Sequence, residues 1–301
     1  MDMIPIFTRS LGLDTSVNPL AYQYNPDTGI QRLATAVNIT HDKTGMISSR
    51  PGYELVATGN FHSLFCAGKD CYIGKDNNLY KVGSDLSLTG VRGGLQGTRI
   101  SYWQDADTIY YTNGFQNGIL VGGLSYPWPE HAYDGPPTTR SFSAAPIGTH
   151  IAVFNGRMLI AVGHTIFISE PWGYGLFNLA NYIDFTSNVV MILPTDFGVY
   201  VSDEESTWFF EGQHFTDFKQ TKVAEYPALE WSETTDTVDA ATLGLDVTGL
   251  SWLWGSTNGA VLGLPTGQII NLTVNKVKYP NIGTKGAGLL YGNNFIHSMF
   301  F

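Results

Sequence analysis

The chain has 301 residues, 43% hydrophobic and 13% aromatic, with only 14% charged and a formal net charge of -10. A chain this long buries roughly three quarters of its extended surface, so it carries its own core, while an acidic balance without a Lys or Arg cluster speaks against phosphate-backbone binding. The 34 Gly and 14 Pro, set among Val, Ile, Thr, Tyr, Phe and Trp, are the mixture of many short strands and tight turns rather than of helices.

Residues 1–27 open as MDMIPIFTRSLGLD, with an acid near the start and Pro5 inside the apolar patch, so neither the charged nor the apolar part of a signal peptide is read there. With Pro5, Pro19 and Pro26 and little periodicity, this stretch is expected to be an extended N-terminal arm that packs outside the domain or reaches a partner. Ile4, Pro5 and Phe7 are its candidate contact residues. Residues 28–301 are expected to form one domain. No apolar run reaches the ~18 residues that would span a bilayer, so membrane insertion is not expected.

From Arg32 onward, apolar runs of four to eight residues end in Gly, Asn or Asp and read as strands. Arg32–Ile39, Gly45–Arg50 and Tyr53–Ala57 come first, followed by the cluster Phe61–Ala67, Asp70–Gly74, Asn78–Val82 and Leu86–Val91. The same grammar returns at Arg99–Gln104, Asp107–Asn113 and Gly118–Gly122, then at His150–Phe154, Arg157–Val162 and Thr165–Ser169. Val189–Pro194, Gly198–Ser202, Thr207–Glu211 and Phe218–Ala224 follow, then Gly249–Gly255, Ala260–Leu264 and Gln268–Thr273. Ser125–Pro146, with five Pro, and the Thr- and acid-rich Ala228–Asp246 are expected to be surface loops available for contact.

Clusters of short antiparallel strands repeating every ~40 to 50 residues mark a β-propeller. The expected fold is therefore all-β, with about six blades and a range of five to seven. The final run Gly286–Phe301 supplies two strands, and pairing it with the first strands in a composite closing blade would hide sheet edges.

Cys66 and Cys71 flank the turn Ala67-Gly68-Lys69-Asp70, near each other across a hairpin. Two cysteines give neither a disulfide framework nor a metal set, and free, half-buried thiols are expected. The seven His are scattered with no metal-ligand spacing, so neither a metal nor a cofactor is expected. Ser202–Trp208 resembles an Asp-box turn but lacks its central Gly, and reads as an acidic hairpin turn. Asp105 with Asp107, Asp203 with Glu204 and Glu205, and Glu230 with Glu233 are conceivable carboxylate pairs for glycoside hydrolysis. Acids in turns more commonly solubilise or hydrogen-bond, and no nucleophile elbow or phosphate loop appears, so the chain is expected not to be an enzyme. Trp128, Trp172 and Tyr174 lie in Gly- or Pro-bearing loops and are candidate protein-contact residues, although packing between blades is the favoured role for such aromatics. Trp252 and Trp254 share one strand face and are expected in the core.

Three phrases carry a resemblance: AVNITHDKTGMISSRPGY at 36–53, GRMLIAVGHTIFISEPWGYGLFN at 156–178, and WGSTNGAVLGLPTGQIINLT at 254–273. They resemble the β-propeller virion proteins of tailed bacteriophages, such as tail hub or DNA-stabilisation proteins. The resemblance implies a structural subunit of a phage tail or head-to-tail assembly, made in the bacterial host cytoplasm and present in several copies that dock other virion proteins. A receptor- or carbohydrate-binding propeller at the tail tip is the alternative.

Overall fold

The computed structural model describes residues 9–16, 18, 30–41, 44–50, 52, 54–136, 138–234, 237–243, 245–273, 276–277, 283–291 and 294–300. Strands dominate it, with short 3-10 turns at Phe215–Asp217 and Ala240–Leu243. The first strands are β1 (Arg9–Leu13), β2 (Ile30–Leu33), β3 (Ile39–His41) and β4 (Ile47–Ser49). Five blades follow, the lower end of the expected range.

Blade 1 contains β5 (Phe61–Ala67), β6 (Asp70–Lys75), β7 (Asn78–Val82) and β8 (Leu88–Arg92), and blade 2 contains β9 (Ser101–Asp105), β10 (Thr108–Thr112), β11 (Asn117–Val121) and β12 (Leu124–Tyr126). Blade 3 is built from β14 (His150–Phe154), β15 (Arg157–Val162), β16 (Thr165–Glu170) and β17 (Gly173–Asp184), with β13 (Phe142–Ser143) added on its outer edge. Blade 4 holds β18 (Val189–Pro194), β19 (Gly198–Asp203), β20 (Thr207–Glu211) and β21 (Lys219–Ala224). Blade 5 holds β22 (Val238–Asp239), β23 (Leu250–Ser256), β24 (Gly259–Gly263) and β25 (Ile269–Asn271), and the chain closes with the hairpin β26 (Lys285–Tyr291) and β27 (Asn294–Phe300).

The sequence periodicity works because alternate residues on each strand serve opposite faces, and blades 2 to 5 are each packed between two neighbours. In blade 1, Tyr72 and Leu79 meet Ile100, Tyr111 and Leu120 of the next sheet. Tyr110 then packs with Ile151, Met158 and Phe177 between blades 2 and 3. Ile166 and Ile168 meet Val199 and Phe210 between blades 3 and 4, and Tyr200 and Phe209 meet Trp252 and Trp254 between blades 4 and 5. On the other face of β23, Leu253 joins Val238 and Leu262 against Leu290 and Phe295 of the terminal hairpin. Each fully buried side chain of this kind is worth about 1.5 to 3 kcal/mol of burial. Trp252 and Trp254 thus occupy the core face assigned to them from alternation.

Several local expectations change. The expected composite closing blade is not one ladder: among the described residues β1 pairs β2 in parallel, β3 pairs β4, and β26 pairs β27, each as a two-stranded sheet. The two ends nevertheless meet, through Ser10 N–H donating to Gly45 O at 2.8 Å and Thr15 N–H donating to Lys276 O at 2.7 Å. The start of β26 is instead bonded to the 228–234 segment beside blade 5, where Glu230 N–H donates to Thr284 O and Gly286 N–H to Glu230 O. Arg9–Leu13, inside the expected N-terminal arm, is a paired strand, while most of residues 1–27 lie outside the described residues. Within Tyr53–Ala57 the described residues are not strand.

Cys66 and Cys71 form a disulfide rather than free thiols. They are direct cross-strand partners on β5 and β6, with Cα atoms 4.1 Å apart, so the hairpin itself brings the sulfurs together.

Candidate functional site

Of the contact candidates from the sequence, Ile4, Pro5 and Phe7 lie outside the described residues. Trp128 and Tyr174 are not on the surface; both are buried between blades 2 and 3. The Trp128 indole N–H donates to Tyr174 O at 2.8 Å, and the Tyr110 ring contacts both aromatics, at 5.0 and 5.4 Å between centroids. Their role is to lock the Pro-rich crossing segment onto blade 3, which is why a loop position turned out to be core. Gly175 is part of the same lock, since a Cβ there would lie 1.8 Å from Pro129 O. Trp172 does stand on the surface. It is 75% exposed at the turn between β16 and β17, with a positive φ of 58° and its N–H donating to Gly156 O at 2.6 Å.

The first part of Ala228–Asp246, residues 228–234, is not a surface loop. Leu229 N–H donates to Gly255 O and Thr234 N–H to Leu253 O, so the segment runs along β23, with Ala228, Leu229, Ser232 and Thr234 buried. It projects Trp231 and Glu233 toward the start of the inner strands, where a polar cluster gathers. The Trp231 indole stacks on the His150 imidazole at 4.3 Å between centroids and 19° between planes. His150 is buried at the start of β14; its Nδ1 lies 3.0 Å from Thr149 Oγ1 and its Nε2 has no hydrogen-bond partner. Lys285 Nζ pairs with Glu230 Oε2 at 2.8 Å. Arg99, just before β9, is desolvated and feels the charges of Glu233 and Glu230.

Burial drives two titratable groups of this cluster, His150 and Glu233, toward their neutral forms. Burial, with Lys285 adding to it, lowers the His150 pKa to about 3, so the ring is neutral at ordinary pH. Enclosure raises the Glu233 carboxyl to about 7, with the Glu230 charge acting the same way and Arg99 opposing it. Glu233 Oε2 and Thr234 Oγ1 also lack hydrogen-bond partners. No group of three potential metal ligands is found among the described residues. The sequence offered Glu230 and Glu233 only as one conceivable carboxylate pair, because Arg99, His150, Trp231 and Lys285 come from separate segments and converge only through the ring.

The acidic turn after β19 is structural. Asp203 is buried; its Oδ1 accepts the N–H groups of Glu205 and Ser206 at 2.9 and 2.7 Å, and its Oδ2 accepts the Trp208 indole N–H at 3.3 Å. Beside blade 3, a shallow cleft of about 400 Å³ lies between Thr139–Ser143 and Asn178–Ala180, and a neighbouring one of about 280 Å³ is lined by Glu130–Tyr133 and Gly175. The Tyr133 and Phe142 rings, stacked at 4.7 Å, stand there.

No family model and no curated protein matches the chain. Among solved structures, it is similar to the extracellular domain of a one-component system of B. thetaiotaomicron, at 14% identity and a TM-score of 0.46 over 71% of this chain and 28% of that one. An auxiliary nutrient binding protein from Bacteroides thetaiotaomicron is similar at 12% identity and a TM-score of 0.48, covering 73% of this chain and 60% of that one. A gluconolactonase from Xanthomonas campestris is similar at 8% identity and a TM-score of 0.43, with 80% and 83% covered. The chain thus spans less than two thirds of the length of the first two, and likenesses of this size bear on neither substrate nor partner.

Proposed function

We propose that this propeller is a non-catalytic structural subunit of a bacteriophage tail or head-to-tail assembly, docking other virion proteins through its N-terminal segment and blade loops. The observation that carries this reading is the character of residues 9–57. Among the described residues of that stretch no hydrophobic side chain belongs to the buried core, while Val37 and Leu55 are 76% and 75% exposed and Leu11, Met46 and Val56 are exposed as well. Apolar side chains left outside a chain's own core, Leu11 on the two-stranded β1–β2 ladder and the other four in the irregular segments beside such ladders, suit a surface that another protein covers. The phrases at 36–53, 156–178 and 254–273 point to the same class of protein. The non-catalytic part rests on the acids: Asp203 is consumed by its turn, and Glu230 by its ion pair with Lys285.

A second reading, glycan or receptor binding at a tail tip, is favoured by Trp172, whose indole is open to solvent as a sugar-stacking ring would be. Mass spectrometry and cryo-electron microscopy of purified particles test the first reading. The expected result is the chain in fixed stoichiometry within a symmetric collar or tail layer, and its absence from particles overturns it. Glycan-array binding that Trp172→Ala abolishes would move the assignment to the second.

A further inference from the structure

At one end of blade 3 the β14–β15 and β16–β17 turns meet. The first runs through Asn155 and Gly156, with φ of 47° and 70°, and is pinned by Asn155 Nδ2 donating to Gln213 O at 2.9 Å. The second lays Trp172 across it: a Cβ on Gly156 would lie 2.7, 2.9 and 3.0 Å from Cε2, Cζ2 and Cδ2 of the indole. Only glycine admits the ring so close, so the backbone of the turn supports one face of the indole while the residue stays 75% exposed. Two positions before Trp172, Glu170 gathers a second group. Its Oε1 accepts from Asn181 Nδ2 at 3.3 Å and lies 3.9 Å from Arg140 Nη1, a contact longer than a hydrogen bond, and the Arg140 side chain is 61% exposed. Arg157, which follows Gly156 directly, donates from Nη1 to Ser169 O at 2.7 Å and feels the charges of both Glu170 and Arg140. Two guanidiniums are thus grouped with one carboxylate, a local excess of positive charge on a chain whose net charge is -10. Arg140 also lines the cleft of about 400 Å³, together with Thr139, Ser141, Ser143 and Asn178, whereas Glu130 lines the neighbouring cleft and not this one.

We propose that this corner of blade 3 binds a carboxylate-bearing saccharide, a pyranose ring stacking on the open face of Trp172 and the sugar carboxylate meeting the Arg140 guanidinium. A flat indole supported from below matches the apolar face of a pyranose. Arg140, held only loosely by Glu170, has N–H donors to offer in the planar fork that fits a carboxylate. The hydroxyls of Thr139, Ser141 and Ser143 and the Asn178 amide supply polar partners for further sugar hydroxyls, in a cleft whose size falls in the lower part of the range for small ligands. Single-stranded nucleic acid, the other anion that stacks on aromatic rings, is disfavoured: an acidic chain repels a run of phosphates, and the corner offers two guanidiniums rather than a basic track. This rests on the second reading above, at the same Trp172, and adds to it the charge of the ligand.

Calorimetric titration of the full chain uses uronic-acid oligosaccharides, each beside the same compound with its carboxyl reduced to the alcohol. The acid form is expected to bind about tenfold more tightly than the reduced form, a preference that shrinks as salt rises. Arg140→Gln is expected to remove the preference and keep the weak binding of the reduced form, whereas Trp172→Ala removes both. The two side chains are exposed, so each variant is expected to melt as the wild type does. Acid and reduced forms bound equally through Trp172, or a preference that survives Arg140→Gln, overturn the carboxylate assignment and leave the second reading standing. Absence of binding by any of these sugars at about 5 mM overturns both. Displacement of the sugar by oligothymidylate at a lower concentration than by free uronic acid makes the corner a polyanion site and likewise overturns the proposal.

Discussion

The His150 imidazole lies flat against the Trp231 indole, 4.3 Å between ring centroids, and this pair joins the first strand of blade 3 to the segment that lines blade 5. The contact crosses the centre of the ring, so it ties together elements about eighty residues apart. Replacing Trp231 by Ala should cost roughly 2 kcal/mol, below the ~3 to 5 kcal/mol of a fully buried large aromatic because the ring is only half-buried. Urea denaturation of the variant checks the figure, and a loss under half of it would mean that the stack contributes little.

Acid should weaken the fold through His150. Its pKa is about 3 in the folded chain and 6.5 in the unfolded one, so the unfolded state binds the extra proton between those values. The associated stability is complete above pH 6.5 and declines as pH falls toward 3. Thermal melts of wild type and His150→Gln over that range should show the wild type alone carrying this part of the slope.

Glu233 should act in the opposite direction. With its pKa raised from 4.5 to about 7, the folded state holds the proton more tightly, so its contribution is complete below pH 4.5 and is lost as pH rises through 7. Glu233→Gln keeps the shape without the ionisation. It should raise stability above pH 7 by an amount on the order of 1 to 3 kcal/mol and make no comparable gain in acid. Equal gains at both ends of the pH range would assign the effect to something other than this proton.

Close packing under the terminal hairpin offers a steric test. A Cβ at Gly288 would lie 2.1 Å from Ser232 O and 2.7 Å from Glu233 O, both backbone atoms that cannot swing aside. Gly288→Ala should cost about 1 to 3 kcal/mol and lift β26 from its neighbour. Faster amide exchange confined to β26 and the Glu230–Thr234 segment is the expected pattern.

Reducing the disulfide should matter only modestly, because Cys66 and Cys71 are five positions apart and close a small loop. The entropic gain for such a loop is about 2 kcal/mol. A reductant should therefore lower the melting temperature by a few degrees without unfolding the chain.

Strand alternation made most of the blades legible, because Tyr72, Trp252 and Trp254 sit in runs where every second residue is apolar. The long β17 escaped notice because Gly173, Gly175, Asn178 and Asn181 interrupt its apolar pattern, and Gly175 is there for the sake of Pro129 rather than for its own strand. Trp128 and Tyr174 are packed between blades, the role favoured for them over surface contact, and what the sequence did not identify is their partners, which lie in another blade. The segment 228–246 read as a loop since its polar residues, Ser232 among them, are buried through hydrogen bonds to Gly255 that no local pattern announces. The two chain ends were expected to pair in a composite closing blade, whereas Gly286 and Gly288 let the last hairpin sit closely on the Ser232–Glu233 backbone beside blade 5.

The indole of Trp128, anchored to Tyr174 O, belongs by sequence to the exit of blade 2 and by contact to blade 3. β13 then adds the same crossing segment to the outer edge of β17. The boundary between these two blades is therefore stitched by the chain that connects them, and the two are expected to melt together. Blades 2 and 3 constitute one cooperative block, the part of the ring that should hold its shape longest as the ends fray.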